Sequence, residues 1–170
     1  VLRVAVPSGW FVPVTPGSKF VTLAGAVAND VHGKNHHAVG CFGRHVARFG
    51  LWRSDRGALV CGPDENADLF AATVGGLGLT GIIQWVEVQL IPVGSAEMEV
   101  ETERFESLNE FLALSEAGAE WPYTVAWVDT LATGGNLGRG VFSRGRHATG
   151  GSHRAHKPGG PSMPITPPGF

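Results

Sequence analysis

Apolar and polar positions change rhythm several times along this chain, and each change marks an element. Leu2 to Val6 alternates weakly and reads as a strand, so the chain enters in mid-pattern at Val1. Pro7-Ser8-Gly9 is a turn, and Trp10 to Val14 is a short extended segment ended by Thr15-Pro16-Gly17. Val21 to Leu23 reads as one more short strand. Gly25 to Asp30 is small and compact, and predicts one or two helical turns with free N–H groups at their start. His45 to Arg53 and Ala58 to Cys61 predict a hairpin around Asp55-Arg56-Gly57.

Asp64 to Ala72 predicts a helix. Asp64, Glu65 and Asp68 load its first half with acid, which suits the helix dipole, and Leu69, Phe70 and Thr73 form its inner face. Ile82 to Ile91 reads as a strand, with period two from Val86 onward. Pro92-Val93-Gly94-Ser95 is a boundary signal. Beyond it come a strand (Met98 to Thr102), a helix (Ser107 to Ser115), a strand (Tyr123 to Asp129), a turn at Thr133-Gly134-Gly135-Asn136, and a strand (Gly138 to Ser143). Ser107-Leu108-Asn109-Glu110 is a capping box. The order predicts an α+β fold. Gly150 to Phe170 is rich in Gly, Pro and His without a period, and is expected to be mobile; His147, His153 and His156 read as part of a solvated tail.

Composition narrows the function classes. The chain has 170 residues, 43% hydrophobic and 16% charged, with a net charge of −2, which suits a globular protein and gives no basic footprint for nucleic acid. No apolar run reaches the roughly 18 residues that span a bilayer, and peripheral membrane contact stays open. Cys41 and Cys61 are too few for a disulfide scaffold, and read as reduced thiols of a cytoplasmic protein.

The chemistry is concentrated in Asp30-Val31-His32-Gly33-Lys34-Asn35-His36-His37, preceded by the small-residue run Val21-Thr22-Leu23-Ala24-Gly25. Burying such a loop would require a partner for each charge and imidazole, so it reads as the lining of a site. A second glycine-rich element, Val74-Gly75-Gly76-Leu77-Gly78-Leu79-Thr80-Gly81, is either a close approach to a ligand or ordinary turn punctuation. His32, His36, His37 and His45 fit no closed zinc spacing, and no metal is expected. His36 and His37 are expected to pin the loop through hydrogen bonds.

These residues carry a resemblance. From Gly9 to Pro92 the chain resembles the second half of the FAD-binding domain of vanillyl-alcohol-oxidase-type flavoproteins, the para-cresol methylhydroxylase (PCMH-type) fold. The Asp30 to His37 string is similar to that of the decaprenylphosphoryl-ribose, sugar-alcohol and aldonolactone oxidases of that superfamily. Pro13-Val14, Pro16-Gly17, Val21-Thr22, Phe42-Gly43, His45-Val46, Asp68-Leu69-Phe70 and Ala72 to Ile83 match in order. Ala24-Gly25 stands where two glycines are usual, and Cys41 where serine is common.

The resemblance implies an FAD-dependent oxidoreductase that oxidises a sugar-type CH–OH by hydride transfer to the flavin. It implies residues 1–93 as the second half of the FAD domain, 94–149 as the start of an α+β substrate domain, and 150–170 as the end of a truncated chain. FAD contacts fall on Gly17, Thr22, Leu23, Ala24, Gly25, Asn29, Asp30, Val31, His32 and Ile83. His32 and Lys34 would act in catalysis, with Lys34 and Trp127 in the substrate pocket. A sugar alcohol, an aldonolactone or a polyprenyl-phosphosugar is the implied substrate, with no evident protein partner. As a fragment the chain alone is expected to be inactive. Two alternatives stay open: an FAD-binding fragment without catalysis, and a histidine-based metal module.

Overall fold

In the computed structural model, residues 1–154 are described. The hairpin predicted from Asp55-Arg56-Gly57 is its centre. Strands β2 (Val46–Arg53) and β3 (Gly57–Cys61) pair antiparallel, with Leu51 opposite Leu59. Strand β4 (Ile82–Val88) pairs on the other side of β2, giving the order β3-β2-β4. Because side chains alternate along a strand, one face of this sheet presents Phe49, Leu51, Cys61, Ile83 and Val86. That face forms the main core with Val14, Ala26, Val27 and Phe42. Helix α2 (Leu23–Ala28) supplies Ala26 and Val27, so its small residues let the chain lie close to the sheet.

A second antiparallel sheet follows, in the order β6-β8-β7: β6 (Met98–Phe105), β7 (Tyr123–Val128) and β8 (Gly140–His147). Helix α5 (Leu108–Ala117) covers one end of it, where Phe111 meets Phe105 and Phe142 with ring centroids 5.4 and 6.1 Å apart. Its predicted cap is present: Ser107 Oγ accepts the Glu110 N–H at 3.3 Å, and the Glu110 carboxylate reaches back to the Glu106 N–H at 2.7 Å. A short ribbon pairs β1 (Trp10–Phe11), which precedes both sheets in sequence, with β5 (Ile91–Pro92), which lies between them. The architecture is α+β, as expected. Among the described residues no helix is long and apolar enough to cross a membrane.

Five expectations need correction. Leu2 to Val6 is not a strand: α1 (Leu2–Ala5) runs into a 3-10 turn, Val6–Ser8. Leu2, Ala5 and Val6 carry its inward positions at the i, i+3, i+4 spacing of a helix, which a short apolar run also satisfies. Val21 to Leu23 is not a strand either. Thr22 is extended because it is the N-cap of α2. The helix expected from Asp64 starts later, as α4 (Ala67–Thr73). Gly62 and Glu65 close a turn with reciprocal hydrogen bonds, which leaves Asp64 and Glu65 outside the helix. The long strand Ile82 to Ile91 is two strands, since β4 stops where its partner β2 begins and β5 joins β1 instead.

Lastly, His147 and His153 are not tail residues. His147 ends β8 with Nδ1 2.9 Å from the Ser95 carbonyl and its ring against Phe11 and Tyr123. His153 Nε2 lies 3.3 Å from the Val93 carbonyl. His156 and most of the 150–170 segment lie outside the described residues.

Candidate functional site

The polar loop is built outward from the end of α2. Asp30 takes a left-handed conformation, φ 41°, while its N–H bonds the Val27 carbonyl and the Val31 N–H bonds Ala26. This is the Schellman pattern of a helix C-terminus, with Asp30 as its left-handed residue, and an aspartate tolerates that conformation better than most residues. The turn throws the chain away from the core. The Asp30 carboxylate then accepts the Gly43 N–H at 2.7 Å, and the Phe42 N–H bonds the Val31 carbonyl at 2.9 Å. A side chain on Gly43 would strike Val74 and crowd Asp30, so glycine is required where the second glycine element closes over α2.

Asn35 anchors the middle of the loop. It is 3% exposed, and its Nδ2 donates to the Pro13 carbonyl at 2.7 Å. Its Oδ1 is buried with no hydrogen-bond partner. Gly33 sits beside it, where any side chain would collide with the Thr15 carbonyl. The far side of the loop is tied to the second sheet. The Thr124 N–H of β7 donates to the Lys34 carbonyl at 2.8 Å, and His37 Nε2 lies 2.9 Å from the Trp121 carbonyl. Backbone is therefore fixed on three sides while the His32 and Lys34 side chains stay exposed. Neither is in an ion pair among the described residues.

The histidines form contacts of a different kind from metal ligation. His36 Nδ1 lies 3.7 Å from Cys41 Sγ, and the His36 ring meets His32 edge-on with centroids 5.5 Å apart. His45 Nε2 is 3.1 Å from the Val39 carbonyl. His36 and His37 thus pin the loop, as expected of them. No three His, Cys, Asp or Glu side chains come together as a metal set among the described residues. Desolvation, with Asp30 nearby, pushes the Cys41 thiol above its ordinary pKa, so it is a neutral donor and not a thiolate.

The start of α2 is open and lightly furnished with side chains. Thr22 Oγ1 takes the Gly25 N–H at 3.0 Å. The N–H groups of Leu23 and Ala24 have no partner among the described residues. Side chains here are small, and Gly17 faces open space. Asn29 is exposed, its Nδ2 bonded to the Gly25 carbonyl at 2.9 Å. Val31 is half-buried against the core. Ile83 lies on β4 opposite Leu51, packed on the core at some remove in sequence from the loop.

The glycines of the second element have structural work. The Gly75 and Leu77 N–H groups bond the Val27 and Ala28 carbonyls, and a side chain on Gly76 would strike Ala72. Gly78 alone of that run faces open space. Trp127 is 64% exposed on β7, on the same face as Val125. Two open depressions lie apart from the loop, one of about 430 Å³ bounded by Trp10 and Glu87, the other of about 340 Å³ between Asp55 and Leu79. The residues missed by sequence reasoning are Asn35, Gly33 and the backbone of Trp121 and Thr124. Only the first two lie within the string that attracted notice.

No family model matches the chain. It is similar to the uncharacterized protein in the mprA 5′ region of Streptomyces coelicolor, 39% identical over 177 residues, covering 99% of this chain and 48% of that protein. It is also similar to the decaprenylphosphoryl-beta-D-ribose oxidase of Mycolicibacterium smegmatis, 41% identical over 149 residues, covering 85% of this chain and 32% of the oxidase. A weaker similarity reaches the human Delta(24)-sterol reductase, 30% identical over 84 residues, covering 49% of this chain and 16% of that protein. The chain spans about half the length of the Streptomyces relative and a third of the mycobacterial one.

Proposed function

We propose that this chain forms part of an FAD-dependent oxidoreductase of PCMH type, acting on the CH–OH of a sugar-type alcohol. The observation that carries the reading is the loop from Asp30 to His37. It is tied through Asn35, Asp30 and Lys34 to three separate segments, yet it presents an imidazole and an ammonium group to solvent. A backbone so constrained under two free functional side chains is suited to holding them at a fixed place. The similarity to a sugar oxidase over 85% of the chain supports the chemistry.

The residues present fit the cofactor. A dinucleotide needs N–H donors for its pyrophosphate and little side-chain bulk near it, and the Leu23 and Ala24 N–H groups with Ala24, Gly25 and Gly17 supply both. Asn29, Asp30, Val31 and His32 would border the flavin, and Ile83 would contribute backbone to the adenine end. When bound, the flavin supplies the hydride acceptor. In this reading His32 orients the substrate hydroxyl and holds its proton, and Lys34 binds substrate oxygens or a phosphate. Trp127 forms an apolar wall on the strand whose first residues are hydrogen-bonded to the loop. An aldonolactone or a polyprenyl-phosphosugar would present the same groups.

The test is a spectrum. The protein is purified with excess FAD, freed of unbound flavin by gel filtration, and scanned in the visible. A bound flavin band in wild type, lost in Gly25→Val, is the expected result. A colourless wild-type protein, or a flavin content unchanged in the variant, overturns the assignment.

A further inference from the structure

We propose that Cys41 and His36 are positioning residues that fix the ring of His32; the proposal rests on the reading that His32 works at the ligand. Three observations join. The Cys41 segment is placed by backbone: the Phe42 N–H bonds the Val31 carbonyl, and the Gly43 N–H bonds the Asp30 carboxylate. Its thiol is therefore held against the root of the loop. From there Sγ reaches 3.7 Å to His36 Nδ1. His36, at the start of the short helix α3 (His36–Val39), in turn sets its ring at 66° to that of His32.

The pair has a direction. Burial, and Asp30 beside the thiol, favour the protonated form, opposed by Arg44. A neutral thiol has one proton to give, and Nδ1 of a neutral imidazole can take it only when the ring proton is on Nε2. With the thiol as donor, His36 carries its ring proton on Nε2; a ring N–H donating to sulfur would place it on Nδ1 instead. The positive edge or negative face of that ring then meets His32, which an exposed imidazole would otherwise leave free to rotate. A serine at position 41 would make the same contact through oxygen. An alanine would not.

The charged and titratable groups that face the pair are Asp30 and Arg44 beside the thiol and His32 against the His36 ring. The experiment has two arms on the intact protein. In the first, ¹⁵N and ring-proton shifts of His36 and His32 are read by NMR above pH 8 without any ligand. Wild type and Cys41→Ser should show the Nε2–H form of His36, and Cys41→Ala should move toward the mixture found in free imidazole and shift the His32 ring protons. Unchanged shifts in Cys41→Ala overturn the proposal whatever the protein's activity.

The second arm measures flavin reduction by substrate in the FAD-loaded protein. Cys41→Ala should slow it by roughly 10-fold, short of the about 100-fold that ångström-scale misplacement can cost, with KM little changed and with recovery in Cys41→Ser. A slow His32→Ala beside a normal Cys41→Ala overturns the positioning role and leaves the functional reading intact. Normal rates in both overturn the functional reading, and the positioning role with it. Circular dichroism on each variant separates either result from misfolding.

Discussion

Asn35 is the residue whose replacement should tell most about the loop. Its Nδ2 is the donor to the Pro13 carbonyl, in a place where neither residue meets water. Asn35→Ala removes that donor, so a buried carbonyl loses its partner, at a cost of about 1–3 kcal/mol. The orphan Oδ1 is removed by the same change, which offsets part of the loss. A net cost near 1–2 kcal/mol corresponds to roughly 2–8 °C in Tm for a domain of this length.

Asn35→Asp is the sharper perturbation. A carboxylate there faces the Pro13 carbonyl and has no donor to offer, so burial favours the protonated acid, which can still donate. The folded pKa is then raised above the unfolded value of about 3.9. A raised pKa means that the variant keeps its full stability below the unfolded pKa and loses it as pH rises through the folded one. The assay is urea unfolding followed by tryptophan fluorescence, at pH 4 and at pH 8. The gap between wild type and Asn35→Asp should widen from pH 4 to pH 8, by about 1.4 kcal/mol for every tenfold difference in proton affinity between the folded and unfolded carboxyl. An equal gap at both pH values would show that position 35 is wet and the anchor illusory.

Other outcomes can be checked alongside. His32→Ala should leave Tm within a few degrees, because the side chain is exposed, yet slow flavin reduction by roughly 10- to 10³-fold; unfolding, or a normal rate, counts against its role. Gly25→Val should lose flavin, and since a Cβ there lies 3.0 Å from Thr22 Oγ1, Thr22→Ala is the control for the cap, expected to cost about 1 kcal/mol. If Thr22→Ala loses flavin to the same extent, cap loss and not bulk explains the effect. Arg139 hydrogen bonds hold the Asp129 carboxyl below its ordinary range, so that contribution is present above the unfolded pKa of about 3.9 and lost as pH falls through the lower folded one. The difference between wild type and Asp129→Asn in urea midpoint should shrink between pH 7 and pH 3; a constant difference would refute the assignment.

Which features the sequence disclosed follows from the range of the forces involved. The hairpin at Asp55-Arg56-Gly57 and the Ser107 cap are local, set by residues within a few positions of each other, and both are present. The strand expected at Leu2 to Val6 failed because a weakly alternating apolar segment makes no strand without a partner, and none pairs with it in the described sheets. Asp64 and Glu65 suggested a helix start, but the Gly62–Glu65 turn holds both outside it, and Asn66 Nδ2 on the Val60 carbonyl ties the same stretch back to β3. In the site, side-chain types pointed to the loop. What fixes it is backbone: the Pro13, Lys34 and Trp121 carbonyls carry no residue signature, so no pattern of side chains could have named them.

That difference also bears on how the two sheets cooperate. The first sheet and α2 present the loop, but the loop is held at its outer side by Thr124 of β7 and by the Trp121 carbonyl just before that strand. Trp121 is itself fixed by Arg144 and Arg146, whose guanidinium groups lie 5.5 and 5.0 Å from its ring. Those arginines pair with Glu99, Glu101 and Glu103 across β6. Each such surface pair contributes little alone. Together they link β6 to β8 and, through the Trp121 ring, to the segment whose carbonyl meets His37. On the opposite face of the same sheet Val100, Val125 and Trp127 stand exposed. The arginine face thus packs around Trp121, next to the strand that meets the loop, while the opposite face sets Val100, Val125 and Trp127 among Thr102, Arg104 and Ser143.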